Sequence, residues 1–223
     1  MAPAAGRRAR GAAAKNARRE AILDGLEELF AHTPYERITV AGLARHAGLA
    51  KGTVYLYFPT REAMFLALHL RHATAFAGEL VEMVGRTPAP AALARNIARR
   101  LAGVPMVLRL MALAPTVLER NVDTDTVAAF KRDLLETLVP VAAALERSVA
   151  GFAAGDGFRF LIRLNALAVG FSEMANPGPA VASALAAHRD LQPLRIDFTD
   201  ELAAALAVLL GAGTAGRGRP SLS

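Results

Sequence analysis

The sequence contains no cysteine. Disulfide bonds, zinc sites with thiolate ligands and cysteine nucleophiles are therefore excluded, which fits a reducing, cytoplasmic location. The basic N-terminal stretch lacks the apolar core of a secretory signal. Near the C-terminus, the uncharged run at 202–216 has 15 residues. That length is too short to cross a bilayer, so we expect no membrane association.

Signatures of enzyme active sites are also lacking. No Ser/His/Asp arrangement, phosphate-binding glycine loop or pair of catalytic carboxylates stands out, so we expect no enzymatic activity and no cofactor. His69 and His72 have a spacing that could hold a metal on one helix face, but no third ligand is evident. We therefore expect no metal site, and a helical enzyme is a remote alternative.

No segment alternates apolar and polar residues as a β-strand does. Hydrophobic residues make up 53% of the chain, and the long Ala- and Leu-rich segments favour helices. The fold class is therefore predicted to be all-α, with a helical break at Pro115 and a bend at Pro140. The expected helices span about residues 15–31, 40–47, 50–58, 61–85, 90–101, 103–113, 124–150, 157–174 and 199–211, with a short one near 180–188.

The positive charge is concentrated at the two ends of the chain. Residues 1–61 carry ten Lys and Arg against five Asp and Glu, a net charge of +5. Residues 62–210 have a net charge of −1, and the last 13 residues have +2. A basic N-terminal unit on a nearly neutral body indicates a module that binds a polyanion. Residues 1–14 are expected to be a disordered basic arm, and residues 212–223 a disordered tail.

The segment from Thr39 to Phe58 has the spacing of a helix-turn-helix. In "TVAGLARHAG", Thr39 can cap a short helix that ends at Gly48, where a left-handed backbone is expected. "LAKGTVYLYF" follows after a tight turn and predicts the second helix, which in such motifs enters the major groove. A pair of short amphipathic helices is equally compatible with ordinary packing. The residues expected to form the core between the helices are Val40, Leu43, Ala44 and Val54.

The second helix concentrates polar side chains suited to DNA. Lys51 can reach a guanine edge or a phosphate, and Gly52 lets the backbone come close to the duplex. The hydroxyl groups of Thr53 and Tyr55 can bond phosphate oxygens, whereas Phe58 is expected to anchor the helix in the core.

"ERITVAGLARHAGLAKGTVYLYFPTREAMFLAL" resembles the N-terminal domain of TetR-family bacterial transcriptional regulators, specifically in its K-G-T-x-Y-x-Y-F-x-[ST]-[KR]-E pattern. The resemblance implies a three-helix DNA-binding domain at 15–61, joined by a long helix to an effector-binding and dimerisation domain at 62–211. Ala50 stands where many members have a capping serine, so this helix lacks about 1 kcal/mol of capping. The resemblance implies DNA contacts by Thr39, Lys51, Thr53, Tyr55, Tyr57 and Arg61, with Lys51 and Gly52 nearest the bases.

The larger region offers weaker signals. Arg109 is the only charge in "VPMVLRLMALAP" and could meet an acidic effector in an apolar pocket, but a salt bridge or a solvated position is the more common role of such an arginine. The residues expected to line such a pocket are Phe76, Met106, Arg109, Leu110, Phe130 and Asn165.

Helices at 157–174 and 199–211 carry apolar faces with small residues, which predict a four-helix bundle between two copies of the chain. The alternative is that both faces pack inside one chain. The faces comprise Phe158, Leu161, Ala168 and Gly170 on the first helix and Leu202, Ala205, Leu206 and Leu209 on the second.

These features predict a homodimeric repressor that binds an inverted-repeat DNA operator and is released by a small molecule. Control by a protein partner, or by no effector, is the alternative for a DNA-binding protein of this kind.

Overall fold

The computed structural model describes residues 4–86 and 89–215, and all regular secondary structure within them is helical. The α-helices in these ranges are α1 (Ala4–His32), α2 (Val40–His46), α3 (Lys51–Tyr55), α4 (Arg61–Arg86), α5 (Pro90–Ala102), α6 (Pro105–Leu113), α7 (Thr124–Ser148), α8 (Asp156–Ala175), α9 (Pro179–Ala187) and α10 (Phe198–Ala215).

The chain divides into two compact units. The first contains the described residues up to Leu70 together with Ala114–Phe130, and the second contains the remaining described residues. This division differs from the boundary expected at residue 61, because one later segment belongs with the N-terminal helices. In that segment Phe130 is buried, and its ring meets the ring of His69 edge-on at 5.6 Å between centroids.

The first unit is built around aromatic and aliphatic side chains of α1 to α4. The ring of Phe65 on α4 meets those of Phe30 and Tyr35 edge-on, at centroid distances of 5.1 Å and 4.9 Å. Such pairs add about 0.5–1.5 kcal/mol each to the free energy gained by burial. The fully or nearly fully buried residues here include Ile22, Leu23, Leu26, Phe30, Leu43, Val54 and Phe65.

Two expectations of terminal disorder are wrong where the structure describes the chain. Helix α1 begins at Ala4, because "AAGRRARGAAAKNARRE" consists mainly of Ala and Arg, two of the strongest helix formers. Helix α10 likewise continues beyond Gly211 to Ala215. The expectations for residues 1–3 and 216–223 lie outside the described residues.

The α-helix ends at Leu113, just before Pro115, where a break is predicted. The chain passes from α6 into a π-helical turn, Ala114–Leu118, and then a 3₁₀ turn, Glu119–Asn121. Pro115 lacks the backbone N–H that would continue the α-helical hydrogen bonding, so the regular α-helix does not extend through it. Asp123 then caps α7 by accepting a hydrogen bond from the backbone N–H of Thr126 at 2.8 Å.

The core of the second unit joins α4 through α8, and α10. Helix α10 packs on α5 and α8 and contributes Leu202, Leu206 and Leu210, all fully buried. At the start of α8, the Oε1 atom of Glu146 accepts hydrogen bonds from the backbone N–H groups of Gly155 (2.8 Å) and Gly157 (3.1 Å). A side chain from α7 therefore caps α8.

The connection between α8 and α10 contributes nothing to this core. Helix α9 and the following 3₁₀ turn, Arg189–Leu194, contain no buried residue, although α9 carries no charge. They contact each other.

No single helix among the described residues is both long and apolar enough to cross a membrane. Helix α5 and the segment Pro105–Asn121 meet that test only when joined, and they are bent by 85°.

Candidate nucleic-acid interface

Helices α2 and α3 form the helix-turn-helix that the sequence predicts. Thr39 caps α2, with its Oγ1 atom accepting a hydrogen bond from the backbone N–H of Gly42 at 3.0 Å. Gly48 has φ +65°, the left-handed conformation that turns the chain between the helices. The four predicted inter-helix core residues, Val40, Leu43, Ala44 and Val54, are all buried.

Helix α3 has a buried side and an exposed side. Val54 is fully buried, and Phe58, just beyond the helix, is 4% exposed, as predicted. Lys51 and Gly52 are exposed at the N-terminus of α3, and a Cβ built on Gly52 would meet nothing within 4 Å. No side chain caps the helix at Ala50. The open space at Gly52 leaves room for the backbone to approach a duplex closely.

The exposed side of α3 carries a cation and hydroxyl groups. The Lys51 Nζ atom lies over the Tyr55 ring, 5.7 Å from its centroid, and Tyr55 is 44% exposed. Thr53 and Tyr57 are half-buried. No acidic side chain pairs with Lys51 in the part of the chain that the structure describes. This surface offers a positive charge and hydrogen-bond donors to a polyanion.

Leu56 lies beside these residues and is 79% exposed. It was not among the surface residues predicted from the sequence. Helical periodicity could have predicted its exposure, because Leu56 lies two residues beyond Val54, which faces the core.

Arg61 is placed differently from the other predicted DNA contacts. Its guanidinium donates to the Tyr35 hydroxyl (2.9 Å), the Ile38 carbonyl (3.2 Å) and Glu62 Oε1 (3.1 Å from Nε). It also lies 4.2 Å above the Tyr35 ring. Tyr35 in turn donates its hydroxyl to Glu62 Oε1 at 2.7 Å. We call Tyr35, Ile38, Arg61 and Glu62 the Arg61 clamp.

The clamp shifts the protonation equilibria of its members. Burial, followed by the hydrogen bond to Glu62, raises the pKa of Tyr35 to about 12. For Glu62, burial opposes ionisation, but hydrogen bonds from Tyr35, its own backbone and Arg61 prevail and lower its pKa. At neutral pH the clamp therefore holds a neutral phenol between a carboxylate and a guanidinium.

Another cation packs against the base of α3. The Arg19 guanidinium on α1 lies 5.2 Å from the centroid of the Phe58 ring and forms an ion pair with Glu20 at 3.1 Å. The contact joins α1 to the residue that anchors the end of the helix-turn-helix.

The six residues predicted to line an effector pocket are divided between the two units. Phe76, Met106, Arg109 and Leu110 belong to the second unit, where Leu110 is fully buried and Phe76 packs against the core. Phe130 belongs to the first unit, and Asn165 is exposed on α8.

His69 is 8% exposed and packs against the Phe130 ring, as described above. Among the described residues, no group of three or more His, Asp or Glu side chains is arranged to hold a metal ion.

The faces predicted to mediate dimerisation lie largely inside the chain. Leu161, Ala168, Leu202 and Leu206 are buried in the core of the second unit, because the strongest apolar periodicity marks the face that packs within one chain. A different face of α8 is exposed. It comprises Arg159, Ile162, Ala166, Gly170 and Glu173, which we call the α8 stripe.

Comparisons with known proteins agree with this architecture. The model of bacterial regulatory proteins of the tetR family matches residues 22–68, and that of the tetracyclin repressor-like C-terminal domain matches residues 70–215. Together the two matches run from the second half of α1 to the end of α10.

Curated relatives match over short segments of the chain. The chain is 46% identical over 54 residues to the nucleoid occlusion factor SlmA of Marinobacter nauticus, which is 24% of this chain and 28% of that protein. It is 38% identical over 52 residues to the HTH-type transcriptional repressor Rv1474c of Mycobacterium tuberculosis, 23% of this chain and 28% of that protein. The matched segment thus spans less than a third of these relatives.

Two solved structures share the fold over most of the chain. A TetR-family repressor of Thermus thermophilus, FadR in complex with lauroyl-CoA, is 22% identical with a TM-score of 0.57, covering 92% of this chain and 99% of that one. A putative TetR-family regulator of Mesorhizobium loti is 18% identical with a TM-score of 0.53, covering 90% and 96%.

Proposed function

Since this chain belongs to the tetR family of bacterial regulatory proteins, we propose that it is a cytoplasmic, non-enzymatic transcriptional repressor that binds an inverted-repeat operator as a homodimer and is released by a small molecule. The observation that carries the proposal is the exposed N-terminal side of α3, where Lys51 has no acidic partner among the described residues and Gly52 leaves the backbone open. This helix belongs to the region that holds most of the excess positive charge of the chain.

The roles at the DNA follow from exposure. Lys51 and Gly52 face the bases, and Lys51 contributes base readout because it stands at the exposed N-terminal end of the recognition helix. Tyr55 contacts phosphate through its exposed hydroxyl, and Thr53 and Tyr57 do so from half-buried positions. Thr39 holds the N-terminus of α2, where backbone N–H groups are available to a phosphate.

The homodimer is proposed to form through α8 and α10. Small residues Ala166 and Gly170 at the centre of the α8 stripe allow two helices to approach closely. Arg159 and Glu173 stand at its opposite ends, so two antiparallel copies place each arginine near the glutamate of the other copy. On α10, Ala204 and Val208 are also exposed, and Val208 is 70% exposed. Together these faces can form a four-helix bundle.

The effector is proposed to bind in the second unit near α6, the helix that carries Arg109 together with Met106 and the buried Leu110. A cation among apolar side chains suits a ligand with an anionic head and an apolar body. The T. thermophilus structure contains lauroyl-CoA, which has these properties and is the first ligand to test.

The experiment is selection of bound genomic fragments, followed by affinity measurements on the selected duplex and on a scrambled duplex of the same composition. We expect inverted repeats with half-site centres about one helical turn apart. Lys51→Ala should cost about 1–3 kcal/mol more on the selected duplex than on the scrambled one. Equal losses on both would make Lys51 a phosphate contact, and recovery of asymmetric sites alone by a monomer would refute the dimeric repressor.

A further inference from the structure

Arg61 is the first residue of α4, the helix that continues from the first unit into the second along the chain. In the Arg61 clamp, its side chain reaches back 23 residues to the carbonyl of Ile38 and 26 residues to the hydroxyl of Tyr35. The clamp therefore joins the first turn of α4 to the segment that precedes the helix-turn-helix.

The position of Ile38 makes this link specific. Ile38 immediately precedes Thr39, the residue that caps α2. Helix α3 packs on α2 through the buried inter-helix core, so any displacement of the start of α2 displaces Lys51 and Gly52. The N–H groups of a guanidinium are held rigidly in one plane. Its three hydrogen bonds therefore fix the orientation of the start of α4 relative to Ile38 as well as the distance between them.

The charge of Arg61 is also balanced within the clamp. Its Nη2 and Nε atoms both lie 3.1 Å from Glu62 Oε1. A guanidinium paired in this way has less to offer a phosphate than the exposed ammonium of Lys51.

We infer that Arg61 is a positioning residue, which, with Tyr35 and Glu62, sets the orientation of the helix-turn-helix relative to the first turn of α4. The effect of the clamp on DNA binding rests on the proposed function, because it assumes that α3 is the recognition helix. Arg61 acts through Ile38 and α2, and phosphate contact is not its role.

Tyr35→Phe is the sharpest test. It removes the hydroxyl that Arg61 and Glu62 share but keeps the ring against Phe65 and keeps every cation of the chain. Tyr35 is 5% exposed, so it cannot itself contact DNA. We expect the ratio of affinities for the selected and scrambled duplexes to fall by about tenfold, the equivalent of one base contact. The slope of log affinity against log salt should stay unchanged, because no phosphate contact is lost.

Arg61→Gln provides the comparison. A positioning role predicts the same loss of discrimination as in Tyr35→Phe, again with an unchanged salt slope. A phosphate contact would instead weaken both duplexes alike, lower the slope by about 0.9 and leave Tyr35→Phe without effect, which would overturn the inference. A purely structural role would lower the thermal midpoint of both variants and leave the discrimination intact, and this result would also overturn it.

Hydrogen exchange tests the clamp without DNA. In Tyr35→Phe, the backbone N–H groups of Gly42 and Leu43, which bond to Thr39, should exchange faster. The N–H of Gly157 in the second unit is the internal control. If the wild-type protein binds all duplexes with the same affinity, the proposed function is wrong. The Arg61 clamp is then tested by hydrogen exchange alone. Unchanged exchange at Gly42 and Leu43 would then refute the clamp.

Discussion

Gly157 at the start of α8 lies against the backbone of Ala142 on α7. A Cβ atom placed on Gly157 would be 2.4 Å from the carbonyl oxygen of Ala142 and 2.7 Å from its Cα atom. Because both atoms belong to the backbone of a helix, neither can move aside cheaply. The two helices therefore require glycine at this crossing.

Gly157→Ala should lower the free energy of unfolding by about 3 kcal/mol, the upper end of the range for overpacking. Gly78→Ala is the matched control, since Gly78 is exposed within α4 and a Cβ there meets nothing within 4 Å. That variant should gain about 0.5–1 kcal/mol from helix propensity. Chemical denaturation measures the free energy of unfolding of both variants. If it changed in the same direction in both, the close contact between Gly157 and Ala142 would be contradicted.

Glu146 should make a measurable contribution as the cap of α8. Glu146→Ala removes the acceptor for two backbone N–H groups and should cost about 1.5–3 kcal/mol, as expected for bonds to a charged group. Glu146→Gln keeps an oxygen acceptor in place and should recover part of the loss. Equal destabilisation in the two variants would show that the negative charge matters and the bond geometry does not.

Adding a cap to the recognition helix should stabilise it. Ala50 has the extended backbone of an N-cap residue, with φ −71° and ψ 143°, but no side-chain bond. Ala50→Ser should therefore add about 1 kcal/mol. Slower hydrogen exchange within α3 would report the gain, and Ala50→Gly, which offers no oxygen, is the control.

Stability at alkaline pH should depend on Tyr35. Its pKa is raised from 10.0 to about 12 in the folded protein, so its stabilising effect is present below pH 10 and is lost as the pH rises through 12. Between these values the free energy of unfolding of wild type should fall more steeply than that of Tyr35→Phe, by at most about 1.4 kcal/mol per pH unit. Parallel curves for the two proteins would show that the phenol ionises equally in both states.

A charge in the α8 stripe should prevent dimerisation. Ile162 is 68% exposed, and Ile162→Glu would bury a carboxylate in each half of the proposed interface and draw Arg159 away from Glu173 of the other copy, at a cost of about 3 kcal/mol. Leu135→Glu introduces the same charge at a 52% exposed leucine on α7 and should leave the dimer intact. Sedimentation velocity distinguishes the two results. If the Ile162→Glu protein were still a dimer, the α8 stripe would not be the dimer interface.

The helix-turn-helix was predictable because its determinants are local. Thr39 and Gly48 act on backbone groups within a few residues of themselves, so capping and left-handed turns follow from residue type. The inward direction of Val54 and Phe58 follows from helical periodicity in the same way.

Features that depend on distant segments were not predictable. The bonds of Arg61 span 23 and 26 residues, so an arginine that looked like a phosphate contact is engaged inside its own domain. Phe130 joins the first unit only because the chain folds back to His69. At the N-terminus, disorder was expected because the charge density is high. The helix propensity of Ala and Arg favours a helix there instead.

Helix α9 and the turn that follows it contain no buried residue. Substitutions there therefore change few contacts on which folding depends, and the segment is nearly free to vary as far as stability is concerned. An apolar helix maintained without a folding requirement is costly in solubility. Replacing its apolar side chains with polar ones should therefore raise solubility while leaving the free energy of unfolding within about 0.5 kcal/mol of the wild-type value.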